Sequence, residues 1–192
     1  MTVRDALLAE QTILFEFDQY FRVFPLQHSA TPLGCAPGKS RFGAFDKSFS
    51  VIYAARNFAT AIAEGVIRDR FEGLSERRLL LSELHGHVVG RLQTFAPLRV
   101  VDLRKGGCLK LGISTDITGA KDFDLAQAFS HKVYSHAEVD GILYPSRLTG
   151  ENCVAIYERA ISTHLEAGPV NPLVQIASLA ASLTSLKIQL LR

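Results

Sequence analysis

Apolar and polar positions alternate in short blocks along this chain, and the period of each block predicts an element. Leu7, Leu8, Ile13 and Leu14, set against Arg4, Asp5, Glu10 and Gln11, predict an amphipathic helix over 4–16. A short apolar strand follows at Phe21–Phe24 and stops at Pro25. From Gln27 to Ser50 no period is sustained, and three glycines and two further prolines punctuate the stretch. It predicts a long loop of the kind that is functional or disordered in a compact domain. Ser50–Ala54 reads as a strand, followed by a helix to about Arg70 that Asn57, or later Thr60, would cap. Ala61, Ala63 and Gly65 keep that helix slim enough for close packing or close approach of a ligand.

Further along, Arg78–Leu84 and Val88–Phe95 predict a hairpin turning at His85-Gly86, and Leu98–Leu103 a third strand. The stretch 106–119 reads as irregular or helical, and Asp124–Ala137 as a helix. Gly141–Tyr144 and Cys153–Glu158 are strands flanking the PSRLTGEN loop. In the tail, Leu173, Ile176, Leu179, Leu183, Leu186 and Leu190 recur three or four apart, which predicts a helix over Pro172–Arg192 packed on the domain or on a second copy. Single helices between strands, with a hairpin in the middle, predict an α+β fold, a single domain with a mixed or antiparallel β core and flanking helices.

Composition narrows the function classes. A chain of 192 residues, 47% hydrophobic, can bury a sizeable core. Its net charge of +2 suits a small anionic ligand, and lacks the concentrated basic stripe of a nucleic-acid-binding surface, so direct nucleic-acid binding is not expected. Cys35, Cys108 and Cys153 are far apart, with neither a disulfide framework nor metal-ligand spacing; no metal site is expected. No segment offers the ~20 apolar residues of a membrane span, and the N-terminus does not read as a secretory signal, so the expected location is cytoplasmic.

The candidate chemistry lies between Phe21 and Glu64 and around Ser146. Arg22 sits alone on an apolar strand, Lys39 and Arg41 follow in the loop, Tyr53 is on the next strand, and Glu64 is on the alanine-rich helix. Arginine offers planar, multi-donor recognition of a pyrophosphate. A fixed carboxylate stabilises the oxocarbenium-like charge that forms when a glycosidic bond breaks. Tyr53 offers a face for stacking, and the Ser146 hydroxyl can donate to a ligand oxygen or orient Glu64. Each has a plainer alternative: Glu64 in an i,i+4 ion pair with Arg68, Arg22 facing solvent, Tyr53 in the core, Ser146 as an ordinary turn residue. His85 and His87 read as turn and surface, His28 as a loop residue within reach of a substrate, and Cys153 as a small buried side chain.

The ordered set FRVFP, SRFG, VIYAA, TAIAE, DGILYPSR and ENCVAIYE resembles the RES domain family. The resemblance runs from about Tyr20 to Glu158. It divides the chain into an N-terminal helical extension (1–19), a RES-like catalytic domain (20–160) and a C-terminal helical tail (161–192). It implies the fold of ADP-ribosyltransferase toxins and an NAD-consuming enzyme: a glycohydrolase, a phosphorylase or an ADP-ribosyltransferase modifying a protein. It also implies the toxin half of a bacterial toxin–antitoxin pair, with a helix-turn-helix antitoxin as partner and homo-oligomers formed through that complex. Arg22, Glu64 and Ser146 fall on the family's arginine, glutamate and serine, and are the expected catalytic set. Arg41, Tyr53, Lys39 and His28 are the expected NAD contacts. SRFGAFD replaces the arginine–tryptophan–asparagine run of many members. A non-catalytic nucleotide- or protein-binding module on the same scaffold is the competing reading.

Overall fold

A computed structural model describes residues 4–191. The chain begins with helix α1 (Asp5–Glu10) and strands β1 (Thr12–Phe15), β2 (Tyr20–Pro25) and β3 (Val51–Ala55). Helix α2 (Phe58–Ile62) continues as a π-helical turn over Ala63–Ile67. Next come β4 (Arg78–Leu80), β5 (His87–Thr94), β6 (Leu98–Asp102), α3 (Gly107–Lys110), α4 (Asp116–Gly119) and α5 (Asp124–Tyr134). The last third holds β7 (Gly141–Pro145), β8 (Asn152–Tyr157), α6 (Glu158–His164), β9 (Leu165–Ala167), β10 (Asn171–Pro172), α7 (Leu179–Ser185) and β11 (Gln189–Leu191).

Nine strands form one curled mixed sheet in the order β1-β6-β7-β8-β3-β2-β5-β10, with β9 also on β5. Only β6 and β7 run parallel within it. β4 and β11 make a separate parallel pair. Strand alternation splits the core by face. Val23, Ala55, Ala155 and Tyr157 pack with Phe58, Ile62 and Phe129 on the α2/α5 side. Tyr20, Ile52, Ala54, Leu92 and Val154 pack with Phe17 and Leu165 on the other. The expected α+β, single-domain architecture with a mixed sheet is what the chain adopts.

Three expected elements differ. The helix over 4–16 stops at Glu10, and 12–15 is a strand. Ile13, Phe15 and Phe17 share a period of two and all pack on the second face, which outweighs the helical reading. The Gln11 side chain also donates to Asp102 O at 2.7 Å, pinning the turn between helix and strand. The hairpin over 78–95 does not form. Glu83 accepts from Leu80 N at 2.9 Å, Leu81–Leu84 coils into a 3-10 turn, and β4 pairs with the distant β11. The tail is not one helix but β10, a 3-10 turn, α7 and β11. Its apolar stripe still packs on the domain, with Leu173, Leu179 and Leu183 buried. Met1, at the start of the expected N-terminal extension, and Arg192, at the end of the tail, lie outside the described residues.

Two substitutions probe this frame. Asn57 caps α2 by accepting from Thr60 N at 2.8 Å, so Asn57→Ala should cost about 1 kcal/mol in denaturant unfolding. A Cβ at Gly141 would lie 2.3 Å from Ala155 O, in backbone that cannot yield without parting β7 from β8. Gly141→Ala should therefore cost about 2–3 kcal/mol or more, read as a lowered urea midpoint.

Candidate active site

β2 and β3 are neighbours in the sheet, yet they pair at one position only, Phe21 with Ala55. β2 keeps its full ladder with β5, and β3 keeps its ladder with β8, so the two diverge beyond that point. The opening leads into a cleft of about 410 Å³ lined from both strands, from the α2 end and from the 39–41 and 147–148 loops. Gly65 makes the close approach possible, since a Cβ there would meet Val23 O at 2.9 Å.

Glu64 enters this cleft from the π-helical turn, whose i+5 bond runs from Arg68 N to Ala63 O at 2.7 Å. Such turns recur at functional sites because they re-aim one side chain within a helix. The Glu64 carboxylate accepts from Ser146 Oγ at 2.6 Å, a charge-assisted bond in a half-buried setting. Glu64 makes no side-chain ion pair among the described residues; Arg68 instead donates from Nε to the Glu64 backbone carbonyl at 3.3 Å. The plain i,i+4 ion-pair reading is thereby set aside.

Ser146 is buried, 3% exposed, and does not line the cleft. Its Oγ accepts from Leu148 N (3.1 Å) and Thr149 N (3.2 Å) while donating to Glu64. Of the two roles open to it in sequence, the structure gives it the orientation of Glu64.

Both expected arginines line the cleft, and each also bonds to backbone carbonyls. Alternation along β2 puts Arg22 on the same side of the strand as Tyr20 and Phe24, and it lines the cleft together with Glu64. Its guanidinium donates to Pro32 O at 2.6 Å and Gly34 O at 2.9 Å and lies over the Phe24 ring. Arg22 borders the cleft, but its side chain fastens the 29–35 loop to the sheet. Arg41 donates to Ile117 O (3.2 Å) and Ala120 O (2.7 Å) and stacks over Phe123, which holds the α4–α5 segment against the cleft. Burial lowers the pKa of both guanidinium groups.

Tyr53 lies in the cleft wall, half-buried, with its hydroxyl donating to Ser40 Oγ at 3.0 Å and accepting from Phe42 N at 2.8 Å. Burial pushes its pKa up to about 12, so it stays a neutral phenol. Lys39 is exposed at the rim. His28 does not line the cleft: it sits on an exposed 3-10 turn after Pro25, bonded to the neighbouring Gln27 amide.

Sequence reasoning passed over several lining residues. Arg147 forms an ion pair with Asp69 on the cleft wall, which holds the Asp69 carboxyl below its usual range. Arg147 directly follows Ser146, and that adjacency was the available signal. Phe123 and Tyr144 come from elements too far away in sequence to be placed by pattern. His87, read as a surface residue, borders the cleft at the Pro25 end, and its Nδ1 is buried without a partner among the described residues. Cys153 also lines the cleft, and burial followed by the nearby Glu64 charge raises its thiol pKa far out of the nucleophilic range.

Five lysine and arginine residues thus border the cleft against two carboxylates, and one of these, Asp69, is already neutralised by Arg147. Aromatic rings, cations and one oriented carboxylate are the groups needed to hold a phosphate-bearing aromatic ligand and to stabilise positive charge on it.

Comparison with known proteins identifies the family and the fold. A probable toxin, y4kH, from Sinorhizobium fredii (strain NBRC 101917 / NGR234) is 35% identical over 82 residues, which is 42% of this chain and 65% of that protein. The chain thus spans less than two thirds of that relative's length. The crystal structure of the M. tuberculosis MbcT–MbcA toxin–antitoxin complex contains a chain of the same fold, with a TM-score of 0.66 at 18% identity, covering 88% of this chain and 93% of that one. The RES domain family matches residues 19–174, most of the chain and every element that builds the cleft, and this protein belongs to that family.

Proposed function

We propose that this chain is an NAD-consuming toxin of a toxin–antitoxin pair, acting in the cytoplasm by splitting the nicotinamide–ribose bond. The observation that carries the reading is the Glu64 carboxylate, oriented by Ser146 Oγ at 2.6 Å and free of an ion-pair partner among the described residues, in a cation-bordered cleft. Family membership, the probable-toxin relative and the fold shared with a toxin–antitoxin complex support the toxin role and an antitoxin partner, for which a helix-turn-helix protein is our expectation.

When the C1′–N bond breaks, its electron pair leaves with nicotinamide, which departs neutral and needs no strong acid. The positive charge left on C1′ and the ring oxygen is what Glu64 faces, while hydrogen-bonding the ribose hydroxyls. Lys39 and Arg68, which have no carboxylate partner among the described residues, are the cations whose charge can meet a pyrophosphate, and Tyr53 presents its ring with the hydroxyl tied back to the loop. The acceptor is water, phosphate or a protein nucleophile. Mass spectrometry of the products, with and without added phosphate, separates the three. NAD left intact after long incubation with purified protein would overturn the enzymatic reading in favour of a binding module.

Glu64→Gln should lower the rate of nicotinamide release by roughly 10²–10³-fold, with an unchanged melting temperature. Ser146→Ala should lower kcat by about tenfold or more with little change in KM for NAD, because the serine acts through Glu64. It should also cost stability, since Leu148 N and Thr149 N lose their acceptor. Arg22→Gln should behave in the opposite sense to Glu64→Gln. It removes the donors to Pro32 O and Gly34 O, so unfolding free energy should fall by about 2 kcal/mol alongside any loss of activity. An Arg22 variant that is inactive at full stability would restore the direct ligand role set out from the sequence.

A further inference from the structure

A second cleft, about 530 Å³, lies beside the first and shares Arg68, Asp69, Arg147 and Leu148 with it. It is also lined by the end of α7 and the turn after it, Ser185–Ile188, and by Arg77. That turn falls outside residues 19–174, so this cleft is completed by a part of the chain the family does not specify.

Its charges do not cancel. Asp69 is paired with Arg147, and Glu72 with Lys121. Arg68, Arg77 and Lys187 line the same space and have no carboxylate partner among the described residues. All three are exposed and line one concavity, so their charge is available to an anionic ligand.

The backbone gives a second, independent indication. Arg68 has φ 49° and ψ −127°, a region that favours glycine, and Lys187 has φ 59°. Lys187 holds the left-handed position of a helix C-cap in which Ile188 N donates to Leu183 O (2.9 Å) and Lys187 N to Thr184 O (2.9 Å). Glycine would serve both places at less strain. The other two such residues, Lys47 and Lys105, do not line this cleft. Strain of this kind persists where a side chain is needed at a fixed place, and ligand clamps are such places.

We infer that the second cleft is a binding site for a phosphate-bearing small organic molecule, of sugar-phosphate or mononucleotide size, with its phosphate held by Arg68, Arg77 and Lys187. The volume falls in the range of organic-ligand pockets and exceeds what a bare oxyanion fills. The site stands on its own geometry and does not require NAD chemistry in the neighbouring cleft. A ligand there touches Arg68 and Arg147, which wall both clefts, so it lies one side chain away from the Glu64 turn.

The test is a titration of the full chain with ribose 5-phosphate, and separately with inorganic phosphate, followed by backbone amide chemical shifts. The expected result is saturable shifts at Arg77, Lys187 and Ile188, with affinity reduced about tenfold or more in Arg77→Gln. Lys187→Gly is the decisive variant: it relieves the backbone and should fold at least as stably, while losing affinity to the same extent. Unchanged affinity in both variants, shifts confined to Tyr53 and Glu64, or no saturation by about 10 mM would overturn the site. Inorganic phosphate binding as tightly as the ester would overturn the organic ligand. A single-stranded RNA oligomer binding there more tightly than ribose 5-phosphate would overturn the small-molecule assignment.

Discussion

The lone pairing of Phe21 with Ala55 is the constraint on which the site depends. A sheet gains stability by satisfying both edges of each interior strand, and here the facing edges of β2 and β3 are left open beyond one position. The molecule can tolerate this because each strand keeps a full ladder on its outer side, β2 with β5 and β3 with β8. The π-helical turn after α2 then seats itself against the opening, with no room for a Cβ at Gly65 beside Val23 O. A helix with a bulkier residue at position 65 could not approach so closely, and Glu64 would be carried away from the strands.

Within that opening the polar groups divide their work by direction. Several side chains that the sequence presents as ligands line the cleft and are fasteners as well. Arg22 ties down the 29–35 loop, Arg41 the 116–123 segment, and the Tyr53 hydroxyl the 40–42 loop. Each converts a loop without regular structure into a fixed wall, by satisfying backbone carbonyls or amides that would otherwise be stranded near the core. Glu64 is the exception, since its one side-chain partner is a neutral hydroxyl and its charge remains available to a ligand.

How much of this was legible follows from the range of the forces involved. Local patterning reaches the strands around Arg22 and Tyr53, the Asn57 cap, α5, and the β7 and β8 strands, because each is set by neighbours within a few residues. It misreads 12–15, where a period of two competes with a period near four over too few residues to decide. It misreads 78–84 and the tail for a different reason, since β4 and β11 acquire strand character only from each other. The motif residues point to one site, and Glu64 and Ser146 do meet, but which face of β2 carries Arg22 depends on the register with β5. Phe123 was invisible because nothing short-range links it to the cleft, whereas Arg147 and Asp69 carried no signal beyond their nearness in sequence to Ser146 and Glu64.

The bond between Ser146 and Glu64 joins residues 82 positions apart in the chain. Closing so long a segment is entropically slow relative to forming local helices, and it must await β8, which holds β3 in place. A nascent polypeptide leaving the ribosome therefore carries Glu64 through the synthesis of the next 82 residues without the hydroxyl that aims it. The carboxylate is therefore aimed late, once the distal strands have emerged, and a fragment ending before Ser146 would hold Glu64 with nothing to orient it.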